Sequence, residues 1–429
     1  MKLGQSIRRY WPAGLAAIAL AALPFAVRAQ SAASTAPPAP SSVAGWAEFA
    51  ETLRTLPERM LAKLPASMRS DPQVQQEVAR LALEAVATST LEAIGGDGDA
   101  PVFLPSIGQL LNVGQPNADT IYRAASITPG GSYRIRGKRG ALRLAVLAQV
   151  APPSDPAAKP RAHLNLRKLK VDADGRYDVL LSDRKPNGYT GDWWQLDPRA
   201  TRLMLRMVSA DWGREDEPTF AIERADKPAG RPRPAAALLE QRLRALPRAI
   251  DFIALLFVDH VAQLRAQGFV NKLKVFDVPY GALAGQFYYE GVYDLKDDEA
   301  LIVESPVPAK CDYRSLILTN ELYETTDWIN NHSSLNDTQA KPDADGRLRI
   351  VVAARDPGVA NWMDTAGHPS GIIQGRWTGC DSQPVPEVRK VKVKDVARLL
   401  PRDTPKITPE QRQDIIRERR RALLERPYW

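Results

Sequence analysis

The 429-residue sequence predicts a mainly β protein with flanking helices, an α+β chain built on two related β-sandwich or jelly-roll-like domains. Three observations carry this expectation. Short alternating runs punctuated by glycine and proline fill two long stretches, as half-buried strands require. One passage occurs twice. Leu164-Asn165, Asp172-Ala173-Asp174-Gly175-Arg176, a run ending at Arg184 and Asp192-Trp193 are answered by Leu335-Asn336, Asp343-Ala344-Asp345-Gly346-Arg347, a run ending at Arg355 and Asn361-Trp362. The offset holds at 171 residues from Asn165 to Arg184 and is 169 at the tryptophans, so two units share one plan. Finally, segments with helical spacing lie before, between and after these units.

In chain order, residues 1–29 read as a secretory signal peptide. Lys2, Arg8 and Arg9 precede an apolar stretch from Pro12 to Val27 that is too short to span a membrane, and Val27-Arg28-Ala29 places cleavage after Ala29. The residues around Arg8-Arg9 match the twin-arginine pattern poorly, so the route is of the Sec type. Residues 30–43 form a flexible Ser, Ala and Pro leader. A periplasmic or secreted protein with no stable membrane insertion is expected. Losing Lys2, Arg8, Arg9 and Arg28 would lower the formal net charge from +8 to +4, too little and too scattered for nucleic acid. In that compartment Cys311 and Cys380 predict one disulfide, contributing on the order of 4 kcal/mol by the chain-entropy argument.

Residues 44–100 are helical, with Asp71 capping a helix that opens at Pro72 and runs through Val74, Val78, Leu81, Ala85 and Leu91 to Gly95-Gly96. The first β domain spans 101–232, with strands at Tyr133 to Arg136, Ala141 to Val150, Arg176 to Leu181, Arg202 to Val208 and Thr219 to Glu223. A loop at Pro152-Pro153 interrupts it. A helical connection, 233–275, carries apolar residues from Leu238 to Leu264, divided or kinked at Pro247 and expected to pack between the β units. His260 ends its apolar face and reads as a packed histidine. The second β domain spans 276–400, with strands at Gln286 to Tyr293, Ala300 to Val303, Ser315 to Thr319, Arg347 to Ala353, Gly371 to Trp377 and Val388 to Val393. An arginine-rich helix over 401–429, started by Thr408-Pro409-Glu410, closes the chain before Tyr428-Trp429 and is expected to present a solvated face.

The repeated Asp-Ala-Asp-Gly element lacks the third ligand and distal acid of a calcium loop, so it reads as a β-hairpin turn. The residues after it resemble a known family. Ser334-Leu335-Asn336, Asp343-Ala344-Asp345-Gly346, Arg355-Asp356-Pro357-Gly358, Asn361-Trp362-Met363-Asp364-Thr365, Gly367-His368 and Arg376-Trp377 resemble the C-terminal part of the bacterial family called domain of unknown function 1214. Asn117-Ala118-Asp119-Thr120-Ile121-Tyr122, Tyr133-Arg134-Ile135-Arg136-Gly137, Asp211-Trp212 and Ile222-Glu223-Arg224 resemble its N-terminal half and the related family numbered 1254. Ala118 departs from the expected proline. The resemblance covers roughly residues 100 to 395 and implies paired β-sandwich-like domains without an established activity.

The chemistry-bearing residues gather in the second unit. His332, Asn336, Asp356, Asn361, Asp364 and His368 fall within 37 residues, in loops that bracket one predicted hairpin. In an enzyme reading, His332 or His368 is a general base oriented by Asp364, and Asn361 or Arg376 holds developing negative charge. In a binding reading, Asn117, Asp119, Tyr122, Asn336, Asn361, Trp362 and Arg376 hold a small organic or saccharide ligand in a cleft between or at the end of the units. That cleft would be lined by Asn361, Trp362, Asp364 and His368. Trp193, Trp194, Trp212, Trp328 and Trp377 supply further rings, those beside Asp192, Asp211 and Asp327 being the better site candidates. No nucleophile elbow, zinc-protease motif or phosphate loop occurs. No metal site and no cofactor are expected. Ligand binding is the leading reading. A metal-independent hydrolase or lyase and an envelope structural protein are the alternatives, and whether the chain is an enzyme and its oligomeric state stay open.

Overall fold

A computed structural model describes residues 43–150, 163–276, 283 and 285–427. The expected signal peptide over 1–29, residues 30–42 of the expected leader, Pro152-Pro153 and Tyr428-Trp429 lie outside the described residues. Three helices open the described chain: α1 (Trp46–Lys63), α2 (Ala66–Arg69) and α3 (Pro72–Gly95). The Asp71 side chain accepts from the backbone N–H of Gln73 and caps α3, as its position before Pro72 predicts.

Nine strands follow: β1 (Leu104–Pro105), β2 (Thr120–Ser126), β3 (Tyr133–Lys138), β4 (Leu144–Val150), β5 (Leu164–Asn165), β6 (Arg176–Ser182), β7 (Asp192–Gln195), β8 (Arg202–Val208) and β9 (Ala221–Arg224). Helices α4 (Ala236–Leu255) and α5 (His260–Ala266) then lead to nine more. These are β10 (Lys274–Val275), β11 (Gln286–Asp294), β12 (Glu299–Pro306), β13 (Tyr313–Leu318), β14 (Ser334–Asn336), β15 (Arg347–Ala353), β16 (Trp362–Asp364), β17 (Ser370–Thr378) and β18 (Glu387–Lys392). Helices α6 (Val396–Leu399) and α7 (Pro409–Leu424) end the chain.

The duplication extends to every strand. The first half pairs a five-stranded sheet ordered β1-β2-β8-β4-β5 with a four-stranded one ordered β7-β6-β3-β9, and the second half repeats both orders as β10-β11-β17-β13-β14 and β16-β15-β12-β18. Even the exceptional parallel pair, β6 with β7, recurs as β15 with β16. Each half is a sandwich closed over its own core. Tyr133, Ile135, Val179 and Leu181 from the four-stranded sheet meet Leu203, Leu205 and Met207 in the first, and Leu301, Val303, Ile350 and Val352 meet Leu316, Leu318, Ile373 and Trp377 in the second.

Period-two alternation leaves the other face of each five-stranded sheet to be covered. The two sheets cover each other, with Leu144, Val208 and Ala210 packed against Tyr313. Helices α1, α3 and α4 form a separate core through Leu56, Met60, Val78, Leu81, Ala85, Leu246 and Ile250. The connecting helix therefore packs on the N-terminal helices, not between the β units. Pro247 stays inside α4, and the division falls after Leu255.

The Asp-Ala-Asp-Gly element is a turn in both copies, with Gly175 at φ 75° and Gly346 at φ 78°. In the first copy the Asp172 carboxylate accepts from the N–H groups of Asp174 and Arg176. It closes no hairpin, because β5 and β6 belong to different sheets and the turn carries the chain from one to the other. Cys311 and Cys380 are joined as a disulfide, beside the adjacent strands β13 and β17. No described helix is long and apolar enough to cross a membrane.

The C-terminal helix is a brace. A Thr408–Gln411 capping box starts it, and Arg412, Arg419 and Arg426, spaced seven residues apart, all turn inward. Arg412 reaches Asp356 at 2.9 Å in the second half. Arg419 lies 4.6 Å above the Trp212 ring of the first half and donates to Ser334 of the second. Arg426 pairs with the half-buried Glu217 at 2.8 Å and donates to the carbonyls of Asp119 and Met207. The expected solvated face is limited to residues such as Arg417, Arg420 and Arg421.

Replacing Arg426 by alanine leaves the half-buried Glu217 without its partner and the Asp119 and Met207 carbonyls without a donor, so urea unfolding should show a loss of about 3 kcal/mol. Arg420→Ala, on the exposed side, should stay within about 0.5 kcal/mol of the parent. A second test concerns Glu84 on α3, whose carboxyl is pushed up to about 7 by burial and by the neighbouring Glu324 charge. The folded state holds this proton more tightly than the unfolded state, so stability falls as pH rises from the ordinary carboxylate value towards 7 and the cost is complete above it. Glu84→Gln should raise the melting temperature at pH 8 and leave it unchanged at pH 4.

Candidate functional site

Between the facing five-stranded sheets lies a cavity of about 220 Å³. Strand alternation puts Met204, Arg206 and Val208 of β8 on its wall while Leu203, Leu205 and Met207 point into the sandwich core. Gln374 and Arg376 of β17 stand opposite, alternating with Ile373 and Trp377 of the second core. Gly375 between them has no side chain because the Tyr289 ring occupies that space, 2.0 Å from where a Cβ would stand.

The same cross-strand pair occurs on both walls. Tyr122 of β2 is in register with Arg206, and Tyr288 of β11 with Arg376. Each guanidinium lies over its partner ring, at 5.9 Å and 5.6 Å from the centroids. Apart from the phenols, these two arginines are the only ionisable groups among the described lining residues. Burial raises Tyr288, Tyr313 and Tyr323 above the ordinary phenol value, so they stand as neutral donors. The described lining residues therefore bring two guanidinium groups and no carboxylate.

Arg376 donates through Nη2 to the Gln374 amide oxygen at 2.6 Å, and its Nε is buried without a hydrogen-bond partner. Gln115 Nε2 and Asn117 Oδ1, on the same lining, are likewise buried and unpartnered. Among the described residues no carboxylate lies within 4.0 Å of the Arg376 guanidinium. Two of the four non-glycine positions with positive φ among the described residues also line the cavity, Gln115 at 57° and Tyr323 at 65°. Such conformations cost on the order of 1 kcal/mol or more and gather at binding sites.

Polar contacts lead away from the cavity in two directions. Gln374 donates to Tyr323 Oη at 3.1 Å and to Glu290 at 3.4 Å, and the fully buried Glu290 lies 2.7 Å from His260 Nε2. On the other side, Tyr313 donates to Asp119, which also accepts from Trp212 Nε1 at 2.8 Å and Asn336 Nδ2 at 2.9 Å. Burial pushes the Asp119 carboxyl up, and the donations from Tyr313, Asn336 and Trp212 oppose that shift.

Of the seven expected ligand-binding residues, Asn117, Tyr122 and Arg376 line the cavity, and Asp119 and Asn336 lie behind Tyr313. Asn361 and Trp362 do not belong to it. The Asn361 amide donates to the Lys341 and Arg349 carbonyls, and Trp362 Nε1 donates to Ala353, both holding local backbone. The expected cleft of Asn361, Trp362, Asp364 and His368 is thus replaced by the cavity between the sheets.

The expected His332, Asp364 and His368 set is not joined. His332 is buried, donates through Nδ1 to the Trp362 carbonyl and sits beside Arg412, and burial drives its imidazole well below the ordinary value. Asp364 accepts from the Ala366 N–H, and burial raises its carboxyl. Burial lowers His368, and no carboxylate among the described residues is within hydrogen-bond reach of its imidazole or that of His332. The loops were expected to bracket a hairpin, but β15 and β16 run parallel and the side chains turn into separate surroundings. The imidazole–carboxylate pair near the cavity is instead His260 with Glu290. Among the described residues no group of three or more His, Cys, Asp or Glu could hold a metal ion.

The remaining tryptophans serve packing. Trp328 and Trp377 are fully buried, Trp194 packs on the first core and Trp193 donates to Ser182. Sequence reasoning missed Arg206, Tyr288, Tyr313, Tyr323 and Gln374. A signal was present, since Tyr122–Arg206 and Tyr288–Arg376 occupy matching places in the two halves.

No protein-family model and no curated protein matches this chain. Among solved structures it is similar to the crystal structure of an uncharacterized protein from Burkholderia cenocepacia, at 28% identity over 81% of this chain and 97% of that one, with a TM-score of 0.73. The VPA0106 protein from Vibrio parahaemolyticus matches at 13% identity over 74% of this chain and 99% of that one, with a TM-score of 0.42. The Burkholderia likeness spans almost that whole protein, so the mainly β fold with flanking helices is shared.

Tyr313→Phe removes the hydroxyl that donates to Asp119 and accepts from Asn117, both buried. Denaturant unfolding should show a loss of about 2 kcal/mol, because the carboxylate keeps its burial and loses a donor.

Proposed function

We propose that the protein binds a small organic anion, a carboxylate above all, in the cavity between its two five-stranded sheets. The observation that carries this reading is Arg376, a buried guanidinium on the cavity wall with an unpartnered Nε and no carboxylate within ion-pair distance among the described residues. An arginine offers planar, charge-assisted donation to a carboxylate. Arg206 on the facing wall and the neutral phenol of Tyr288 add to it. Gln115 Nε2 and Asn117 Oδ1 supply a further donor and acceptor for polar substituents.

This narrows the expected organic or saccharide ligand to one that carries negative charge. The hydrolase or lyase alternative now rests on His260 and Glu290, which stand behind the lining residues Gln374, Tyr323, Phe257 and Phe276. An envelope role for the arginine-rich tail is disfavoured by the inward direction of Arg412, Arg419 and Arg426. The signal-like residues 1–29 and the Cys311–Cys380 disulfide support a periplasmic or secreted site of action. The quoted motifs support kinship with the families of unknown function numbered 1214 and 1254.

A thermal-shift screen of small organic acids against the matching neutral amides tests the reading. An acid present at a hundred times its dissociation constant should stabilise the fold by about 2.7 kcal/mol. The amide should have a smaller effect, and Arg376→Met should weaken the acid at least tenfold. Equal binding of acid and amide, or full binding by the Arg376 variant, would refute the proposal.

A further inference from the structure

The cavity has a neighbour of opposite character. A second cavity of about 180 Å³ lies against β1, β2, the chain after β1 and α7, and its lining includes Ile107, Leu110, Leu111, Ile121, Ile329 and Leu424. Charged side chains are absent from its described lining. It shares Ile107, Thr120 and Tyr122 with the arginine-bearing cavity, so the two compartments adjoin at these three residues. Tyr122 turns a phenol oxygen toward the polar loop, where it accepts from the Asn117 N–H at 3.1 Å, and offers its ring as apolar wall.

At the apolar compartment, two large hydrophobic residues face water: Leu110 is 63% exposed and Leu424 is 59% exposed. They belong to different elements, the loop after β1 and the last turn of α7. Exposed apolar side chains that rim an apolar cavity mark a surface that gains from being covered.

We infer that the two compartments form one site for an amphipathic carboxylate, with its acid group at Arg376 and a hydrocarbon tail running past Tyr122 into the Leu110–Leu424 compartment. The inference rests on the anion-binding reading and adds the ligand class. The occupant follows from the shared walls: a polar cavity that demands a negative head adjoins an apolar one that offers nothing but surface for methylenes. An acid of only a few carbons would leave the second compartment to water.

Isothermal titration of the full chain with unbranched carboxylates from acetate to decanoate, and with octanol, tests this. Affinity should rise by up to ~fourfold for each added methylene until the apolar compartment is filled and then level off. Octanol should bind more weakly than octanoate. Leu110→Asp and Leu424→Asp replace exposed residues, so each should melt like the parent, flatten the gain for long acids and leave acetate and butanoate unchanged. Chain-length independence, or an undiminished gain in both aspartate variants, would overturn the tail compartment. If short acids still bound through Arg376 in that case, the head site would stand alone. Failure of every acid to bind would overturn the head site and the tail with it.

Discussion

The carboxylate of Asp119 is cut off from water, and the arrangement of both halves follows from satisfying it. Trp212 donates from the first half, Tyr313 and Asn336 from the second, and Arg426 binds the Asp119 backbone carbonyl from the C-terminal tail. A buried charge of this kind tolerates little movement, because each lost donor costs its full desolvation. The network thus holds the sheets, and the chain after α7, in one relative position. Within that frame Asn117 and Tyr313 are held at the cavity edge, and Tyr122 is placed by the N–H of Asn117.

A sheet with both faces buried has no side on which polar residues come free. Along β17, Ile373 and Trp377 meet the sandwich core while Gln374 and Arg376 face the opposite sheet, and all nine residues of the strand are buried. Placing an arginine there is costly unless something answers its charge. In the first half the corresponding face is more apolar. Read through the strand registers, Ala124 answers to Glu290, Met204 to Gln374 and Leu144 to Tyr313. On these three matched strand positions the polar side chain therefore comes from the second half, while the first half contributes its polar groups at Arg206, Tyr122 and the loop of Gln115 and Asn117.

Much of this architecture was legible in the sequence. The spacing predicts Arg202–Val208 and Arg347–Ala353 as they occur, because each alternates between apolar core positions and others. The Asp71–Pro72 and Thr408–Pro409 signals mark true helix starts, since capping is local chemistry. Strand β2 escaped notice because it is buried on both faces and shows no alternation. The site was legible only in pieces. Asn117, Tyr122 and Arg376 carry side-chain types that suggest binding, yet nothing local says that β2 and β17 face each other. The Asp364 N–H does bond the His332 carbonyl, yet the His332 ring turns to the Trp362 carbonyl and the Asp364 carboxylate to the Ala366 N–H, and side-chain direction of this kind is not written in sequence spacing.

The position of the cavity on the seam of a duplicated chain has a consequence for change over time. In a symmetric pair of identical subunits, every substitution on a shared wall appears twice, so a gain on one side is imposed on the other. With both walls in one polypeptide, Met204 and Gln374 are separate genetic positions, as are Leu144 and Tyr313. One wall can be retuned for a new occupant while the other keeps the sheets apart at a fixed distance.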